Sequence, residues 1–185
     1  LVGSEMCIRD RYVSMLSRGA DMLFELKSVF QNDGEEKQVE YNLDLSGLDV
    51  DGVYPFKTPV VVTAKATNRA SLITLVINAH FDYSRDCDRC GEPYTREMNM
   101  SFEHRLIQTL ADEENDDYIE TPDFTLELDD VVISDIFLSL PSKNLCRDDC
   151  KGLCQICGQN LNNGECSCDK RQTDPRLEIL KQLID

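Results

Sequence analysis

The chain has 185 residues, 35 acidic against 19 basic side chains, and a formal net charge of −16. This length suits one domain with an appendage or two small domains. The negative net charge argues against a protein that binds nucleic acid over its whole surface. No apolar run is long enough for a transmembrane helix, and the start of the chain lacks the apolar stretch and cleavage site of a signal peptide.

Residues 1–21 are predicted to be a non-native or disordered leader. The opening LVGSEMCIRDR does not begin with Met, has no hydrophobic period and looks like translated adaptor sequence. Met15 and Met22 are both possible starts, and Met22 is preferred because the LFELK that follows it alternates as a strand does. Cys7 then lies outside the native protein, and eight of the nine cysteines remain.

An antiparallel β domain is predicted over residues 22–110. Strand-like alternation or β-branched residues mark LFELKSVF (23–30), VEYNLDL (39–45), VVVTAKAT (60–67), LITLVINAHFDY (72–83) and YTREMNMSFEHRL (94–106). The third and fourth of these are expected to form a hairpin that turns at Asn68–Arg69. The hairpin between the fourth and fifth would carry Cys87 and Cys90 at its tip.

An acidic loop is predicted over residues 111–130. From Asp112 to Asp130 the chain has ten acidic residues and no Lys or Arg, so that mutual repulsion favours a solvated first half. Phe124–Leu128 is a candidate short strand within it. At the end of this loop, Asp130–Leu140 (DVVISDIFLSL) is expected to form a short helix that Pro141 ends.

The remainder of the last predicted region, residues 131–185, is a cysteine-rich tail and a terminal helix. Residues 145–168 are too polar to bury a core of their own, so a metal must order them. Pro175 begins the terminal helix, whose leucines share one face. The expected class is therefore α+β: an antiparallel β-sheet or partly open barrel with a short helix, a zinc-stapled C-terminal tail and a terminal helix.

The cysteines carry the strongest chemical signal. They form Cys87-x2-Cys90, then Cys146-x3-Cys150-x3-Cys154-x2-Cys157, and finally Cys166-x-Cys168. Both Cys-x2-Cys pairs are followed by Gly, as in the zinc-knuckle turn, where two sulfurs meet one metal. Eight thiolates divide evenly into two tetrahedral sites, so the expected cofactor is Zn²⁺, as two structural ions with four Cys ligands each.

Other chemistries and two ligand pairings are open to these cysteines. An iron–sulfur cluster also takes thiolates, but a thioredoxin-like redox pair would need a βαβ pattern that is absent around either Cys-x2-Cys. The preferred pairing joins Cys154, Cys157, Cys166 and Cys168 in one site and Cys87, Cys90, Cys146 and Cys150 in the other. The alternative joins the two knuckles, Cys87, Cys90, Cys154 and Cys157, as in a zinc ribbon.

Several segments together resemble a known family. CDRCGEPY, an acidic stretch, DIFLSLP, CRDDCKGLCQICGQNLNNGECSC and DPRLEILKQL look like the YceD family, whose members are called large ribosomal RNA subunit accumulation proteins. This sequence is similar to the Gram-positive-like form with a cysteine-rich tail, and CKGLCQICGQNL is its most specific segment. The resemblance implies a non-enzymatic role in the accumulation or maturation of large-subunit (23S) rRNA. A cytoplasmic location is expected because the sequence shows no export signal.

No catalytic residue is predicted, because the sequence lacks the nucleotide-binding and hydrolase motifs, and His80 and His104 sit in ordinary strand patterns. The expected partner is a ribosomal protein or pre-rRNA of the large subunit, with no small-molecule substrate and no membrane. A small basic patch of Lys151, Lys170, Arg171 and Arg176 is a candidate RNA contact. An acidic adaptor for a basic ribosomal protein and a redox or zinc-storage protein are the alternatives.

Overall fold

The structure is a computed structural model that describes residues 22–109 and 118–168. The predicted leader, the first half of the acidic loop and the terminal helix from Pro175 lie outside the described residues. The chain divides into two compact units: the first is Leu1–Arg85 with Pro93–Lys143, and the second is Asp86–Glu92 with Asn144–Asp185. In the ranges described, no helix has both the length and the apolar character needed to cross a membrane.

The regular elements follow the predicted α+β class, which is confirmed. They are β1 (Leu23–Glu25), α1 (Lys27–Gln31), β2 (Glu36–Leu43), β3 (Val60–Arg69), β4 (Leu72–Asp86), β5 (Pro93–Ile107), β6 (Tyr118–Glu120), β7 (Thr125–Glu127) and α2 (Leu128–Ser139). Five strands form an open sheet in the order β2-β3-β4-β5-β6, and β1 pairs with β7 in a separate antiparallel ribbon.

The predicted hairpin of β3 and β4 forms, but its turn lies two residues later than expected. The strands pair antiparallel up to Arg69 and Leu72, and the turn residues Ala70 and Ser71 have φ of 53° and 64°. Two positive φ angles in a two-residue loop match the twist of the strands. The expected break at Asn68 is wrong because Asn68 is buried in β3, where its amide donates to the Val29 carbonyl at 2.7 Å.

The prediction for the start of the chain's β domain needs correction. The sequence predicts one strand over residues 23–30, but β1 is only three residues long and α1 follows it. Leu26, Val29 and Phe30 lie at helical spacing and pack in the core, so burial favours a helical turn over continued alternation. Within the predicted acidic loop, the candidate strand Phe124–Leu128 forms as β7, and the structure adds β6 and the first residues of α2.

One hydrophobic core holds the first unit together. Its buried side chains come from alternate residues of β3 and β4, from the ribbon and from one face of α2; they include Val60, Val62, Leu75, Ile77, Phe24, Leu126, Leu128, Val132 and Ile136. Phe56 packs against Phe81 and Tyr83, with ring centroids 5.4 and 5.9 Å away.

The strand β6 runs parallel to the end of β5, so the sheet is not the wholly antiparallel one that the sequence predicts.

Candidate metal centres

The two Cys-x2-Cys-Gly segments adopt the same turn. In the first, the Gly91 N–H donates to the Cys87 carbonyl at 2.8 Å, and Gly91 has φ of 70°. In the second, the Gly158 N–H donates to the Cys154 carbonyl at 2.9 Å, and Gly158 has φ of 74°. Glycine is favoured at both positions because other residues rarely adopt this left-handed conformation. The sequence repeat CxxCG therefore encodes two local copies of one ligand-presenting turn.

Backbone pairing brings distant cysteines to the first turn. The Asp88 N–H donates to the Asn144 carbonyl at 2.7 Å, and the Asn144 N–H donates to the Asp88 carboxylate, also at 2.7 Å. This pair fixes the segment after residue 143 against the turn. As a result, Cys90 Sγ lies 3.8 Å from Cys146 Sγ.

The eight sulfur atoms form two groups of four. One group is Cys87, Cys90, Cys146 and Cys150, and the other is Cys154, Cys157, Cys166 and Cys168; within each group all ligand atoms lie within 4.8 Å of one another. These are the groups of the preferred pairing, and the zinc-ribbon arrangement of the two knuckles is not the one that the sulfurs adopt. All eight are free thiols. Cys7 lies outside the described residues.

The sulfur spacing fits a tetrahedral metal. A zinc–sulfur bond of about 2.3 Å gives a tetrahedron whose sulfur–sulfur edge is about 3.8 Å. In the first group Cys87 Sγ lies 3.7 Å from Cys150 Sγ, close to that edge. Such a separation is far longer than a disulfide bond of about 2.05 Å. Each group could therefore hold one metal ion without rearrangement of the chain.

The thiols of the first group differ in acidity. Burial raises the pKa of Cys87, but the backbone N–H groups of Cys146, Cys90 and Arg89 outweigh burial and lower this pKa to about 6. Burial and the neighbouring thiols raise the pKa of Cys146 to about 12. Cys87 thus ionises readily, whereas ionisation of Cys146 would place a second negative charge beside the first and is unfavourable. A divalent cation would relieve that repulsion.

The second group repeats this contrast. The N–H groups of Cys157 and Ile156 lower the pKa of Cys154 to about 6, with the Cys166 thiol contributing. The Cys157 thiol, followed by burial, raises the pKa of Cys168 to about 12. Four sulfurs at these distances cannot all carry charge without a cation between them. The electrostatics of both groups therefore suit a bound metal ion.

Two further residues contact the first group, and the sequence predicts neither. Asn162 donates from Nδ2 to Cys150 Sγ at 3.3 Å, and this hydrogen bond is the main cause that lowers the pKa of Cys150. Arg89 donates from Nη1 to the Cys150 carbonyl at 2.9 Å. Nothing in the spacing of the cysteines indicates either contact, because both partners are distant along the chain.

Gly152 is a sensitive position between the two groups. It has φ of +72°, and a Cβ built there would lie 3.0 Å from the Arg89 carbonyl oxygen. Gly152→Ala is expected to destabilise the zinc-loaded protein by about 2–4 kcal/mol, since it adds backbone strain and a close contact. Thermal denaturation of the loaded protein measures this loss.

Gly91→Ala is the matched control for Gly152→Ala. Gly91 has a similar φ of +70°, but nothing lies within 4 Å of the added Cβ. The control should therefore cost only the strain of the left-handed backbone, about 1–2 kcal/mol. Equal losses of stability in the two variants would show that the close contact between the added Cβ and the Arg89 carbonyl oxygen does not contribute.

The histidines make structural contacts. His80 Nδ1 lies 2.7 Å from Asn99 Oδ1 on the neighbouring strand. His104 Nε2 lies 2.7 Å from Asp135 Oδ2, in a half-buried pair that joins β5 to α2. Of the predicted basic patch, Lys151 is exposed, and Lys170, Arg171 and Arg176 lie outside the described residues.

Several known proteins are similar to this chain. Uncharacterized proteins of Mycobacterium bovis and Mycobacterium tuberculosis are 30% identical over 103 residues, which are 54% of this chain and 49% of theirs. The chain thus spans about half the length of these relatives. The chloroplastic large ribosomal RNA subunit accumulation protein YCED homolog 1 of Zea mays is 25% identical over 192 residues, covering 86% of this chain and 64% of the relative.

No solved structure matches the chain. The family model described as large ribosomal RNA subunit accumulation protein YceD matches residues 75–184, a range that contains both groups of sulfurs. The resemblance expected from the cysteine motifs is therefore confirmed. Because the match covers more than half of its length, this chain belongs to the YceD family of large ribosomal RNA subunit accumulation proteins.

Proposed function

We propose that this protein is a non-enzymatic factor that supports the accumulation and maturation of large-subunit (23S) rRNA and ribosome assembly, with two structural zinc ions. The observation that carries this proposal is the family match, whose range includes both groups of four sulfurs. The family name concerns rRNA accumulation and names no reaction. Four thiolate ligands leave no coordination position for a substrate, which is consistent with a role without catalysis.

The metal assignment follows from the donor set. We infer that one zinc ion is held by Cys87, Cys90, Cys146 and Cys150, and a second by Cys154, Cys157, Cys166 and Cys168. Four thiolates in a tetrahedral shell favour zinc or an iron–sulfur cluster. Because sulfur atoms take all four positions, none is left for water or substrate, and zinc in such a shell supplies folding energy rather than chemistry.

Replacing one ligand tests the assignment. Cys157→Ser is expected to reduce the zinc content from two equivalents to about one, because Cys157 belongs to the second group only. Native mass spectrometry measures the content. The matched control is Gln155→Ser, an exposed position in the same turn that supplies no ligand, and it should keep both equivalents. Iron with acid-labile sulfide in the native protein would reject zinc in favour of a cluster.

Depletion in cells tests the role in rRNA accumulation. Loss of the protein should lower mature 23S rRNA and the large subunit, while the small-subunit rRNA is less affected. Re-expression of the wild-type chain should restore the large subunit, and a Cys87→Ser/Cys90→Ser variant should restore it poorly, because its first metal centre lacks two ligands. Unchanged ribosome profiles after clean deletion would refute the role.

A second candidate is an acidic adaptor that binds a basic ribosomal protein without RNA contact. The net charge of −16 favours it, since such a surface attracts a cationic partner and repels phosphate. Affinity purification with and without RNase separates the two candidates. Ribosomal proteins that remain bound after RNase would support the adaptor, and loss of all of them would reject it.

We place this activity in the cytoplasm, where thiols stay reduced and available to metal. The proposed partners are a ribosomal protein or the pre-rRNA of the large subunit, with no small-molecule substrate and no membrane. Chloroplastic relatives in Zea mays and Arabidopsis thaliana carry the same family name in an organelle. Fractionation of cell extracts on sucrose gradients would test the association, which should appear in the pre-large-subunit fractions.

A further inference from the structure

A side chain from the loop of one sulfur group contacts a ligand of the other. Asn162 lies between Cys157 and Cys166, both of which belong to the second group. Its Nδ2 nevertheless donates to Cys150 Sγ, a sulfur of the first group, at 3.3 Å. Its Oδ1 accepts from the Lys151 N–H at 2.8 Å. The nitrogen and the oxygen of the Asn162 side chain are thus both hydrogen-bonded to the segment that carries Cys150.

The loop 158–165 holds Asn162 in this position through backbone contacts. The Leu161 N–H donates to the Gly152 carbonyl at 2.9 Å, and the Asn162 N–H donates to Asn160 Oδ1, also at 2.9 Å. The loop sequence GQNLNNGE offers little apolar surface to order it. The residues that flank it are 157 and 166, so a metal in the second group would fix both ends at once.

The first turn also contacts the short segment between Cys150 and Cys154. Arg89 donates from Nη1 to the Cys150 carbonyl at 2.9 Å, and its own carbonyl accepts from the Leu153 N–H at 3.1 Å. The residues between Cys150 and Cys154 are therefore held by the first turn and by the loop of the second group. If either group becomes disordered, the hydrogen bonds of this short segment are affected, and through them the other group.

We propose that Asn162 is a positioning residue that couples zinc loading at the two centres, so that zinc in the second centre tightens zinc binding in the first. This inference rests on the proposed zinc sites. An N–H donor aimed at a metal-bound thiolate stabilises its negative charge. The donor is held in place only while its loop is ordered, and zinc in the second centre supplies that order.

Asn162→Asp is the sharpest single change. The carboxylate has nearly the same shape and keeps the acceptor for the Lys151 N–H, but it loses the donor to Cys150 and adds a charge that the sulfurs repel. Zinc affinity at the first centre should fall about 10–100-fold, as for other outer partners of metal ligands. Asn163→Asp is the matched control, because Asn163 is exposed and one residue away.

The full-length protein serves for the measurement. Zinc is withdrawn by a competing chelator, and the occupancy of each centre is followed separately by the NMR signals of the Gly91 and Gly158 amides, which lie in the two turns. The second centre is disabled by Cys157→Ser/Cys168→Ser. Asn162→Asp is then compared in the intact and the disabled background, which forms a double-mutant cycle.

Coupling through Asn162 gives a distinctive pattern. Disabling the second centre should itself weaken the first about 10–100-fold, and adding Asn162→Asp to that background should change little more. Equal effects of Asn162→Asp in both backgrounds would overturn the coupling, as would an Asn163→Asp variant that weakens the first centre equally. A wild-type chain that takes up no zinc would instead overturn the metal assignment, and the coupling with it.

The reciprocal experiment keeps the proposal testable if Asn162→Asp does not fold. Linkage requires that loading of the first centre tighten the second by the same factor. Cys87→Ser/Cys90→Ser should therefore weaken zinc binding at the second centre, seen at the Gly158 amide, by the factor found above. Independent affinities in these ligand variants would overturn the coupling without any change at Asn162.

Discussion

Removal of zinc is expected to unfold the second unit while the first unit keeps its sheet. Among the described residues of the second unit, the buried side chains are Cys87, Cys90, Cys150, Cys154 and Asn144, and none is a large aliphatic or aromatic residue. Leu153 and Ile156 are 45% and 57% exposed. Since these described residues form no apolar core, their order depends on the metals, which in zinc-finger peptides supply about 10–16 kcal/mol of folding energy.

Hydrogen exchange measured by mass spectrometry would follow this unfolding by segment. After chelation and verified loss of metal, amides of residues 86–92 and 144–168 should lose protection, while those of β3 and β4 should remain protected. Addition of excess zinc with the chelator is the control and should leave protection unchanged. Preserved protection in the second unit of the metal-free protein would contradict the structural role of the metal.

Ile136→Ala is expected to destabilise the first unit by about 2–5 kcal/mol, as buried Ile-to-Ala changes do. Ile136 is fully buried on α2, where it packs in the core with Leu128 and Val132. The substitution removes apolar contacts and leaves a cavity between the helix and its neighbours. Chemical denaturation followed by far-UV circular dichroism gives the free energy of unfolding of this unit.

Leu138→Ala on the same helix is the control. Leu138 is 87% exposed, so its truncation removes little buried surface and should change stability by less than about 0.5 kcal/mol. Zinc content should stay at two equivalents in both variants, because the ligands lie in the other unit. A similar loss from both substitutions would mean that α2 does not bury the face that carries Ile136.

Most of the sheet could be predicted from periodicity alone. β3, β4 and β5 are long, and their apolar residues alternate along most of their length, so the strand period outweighs other signals. Short elements are harder to predict. LFELKSVF alternates at its start and has helical spacing at its end, and the packing of Leu26 and Val29 in the core is what favours a helical turn after β1.

Spacing along the chain is enough to establish the α+β class, the eight candidate thiol ligands and the two CxxCG turns, because each of these depends on residues close in sequence. The grouping of the eight sulfurs is different, since the Asp88–Asn144 pair that brings Cys146 to Cys90 joins residues far apart in the chain. The contact of Asn162 with Cys150 also depends on how the folded loop lies against its neighbour. Local periodicity encodes turns and strands, whereas contacts between separate segments depend on the free energy of the whole chain.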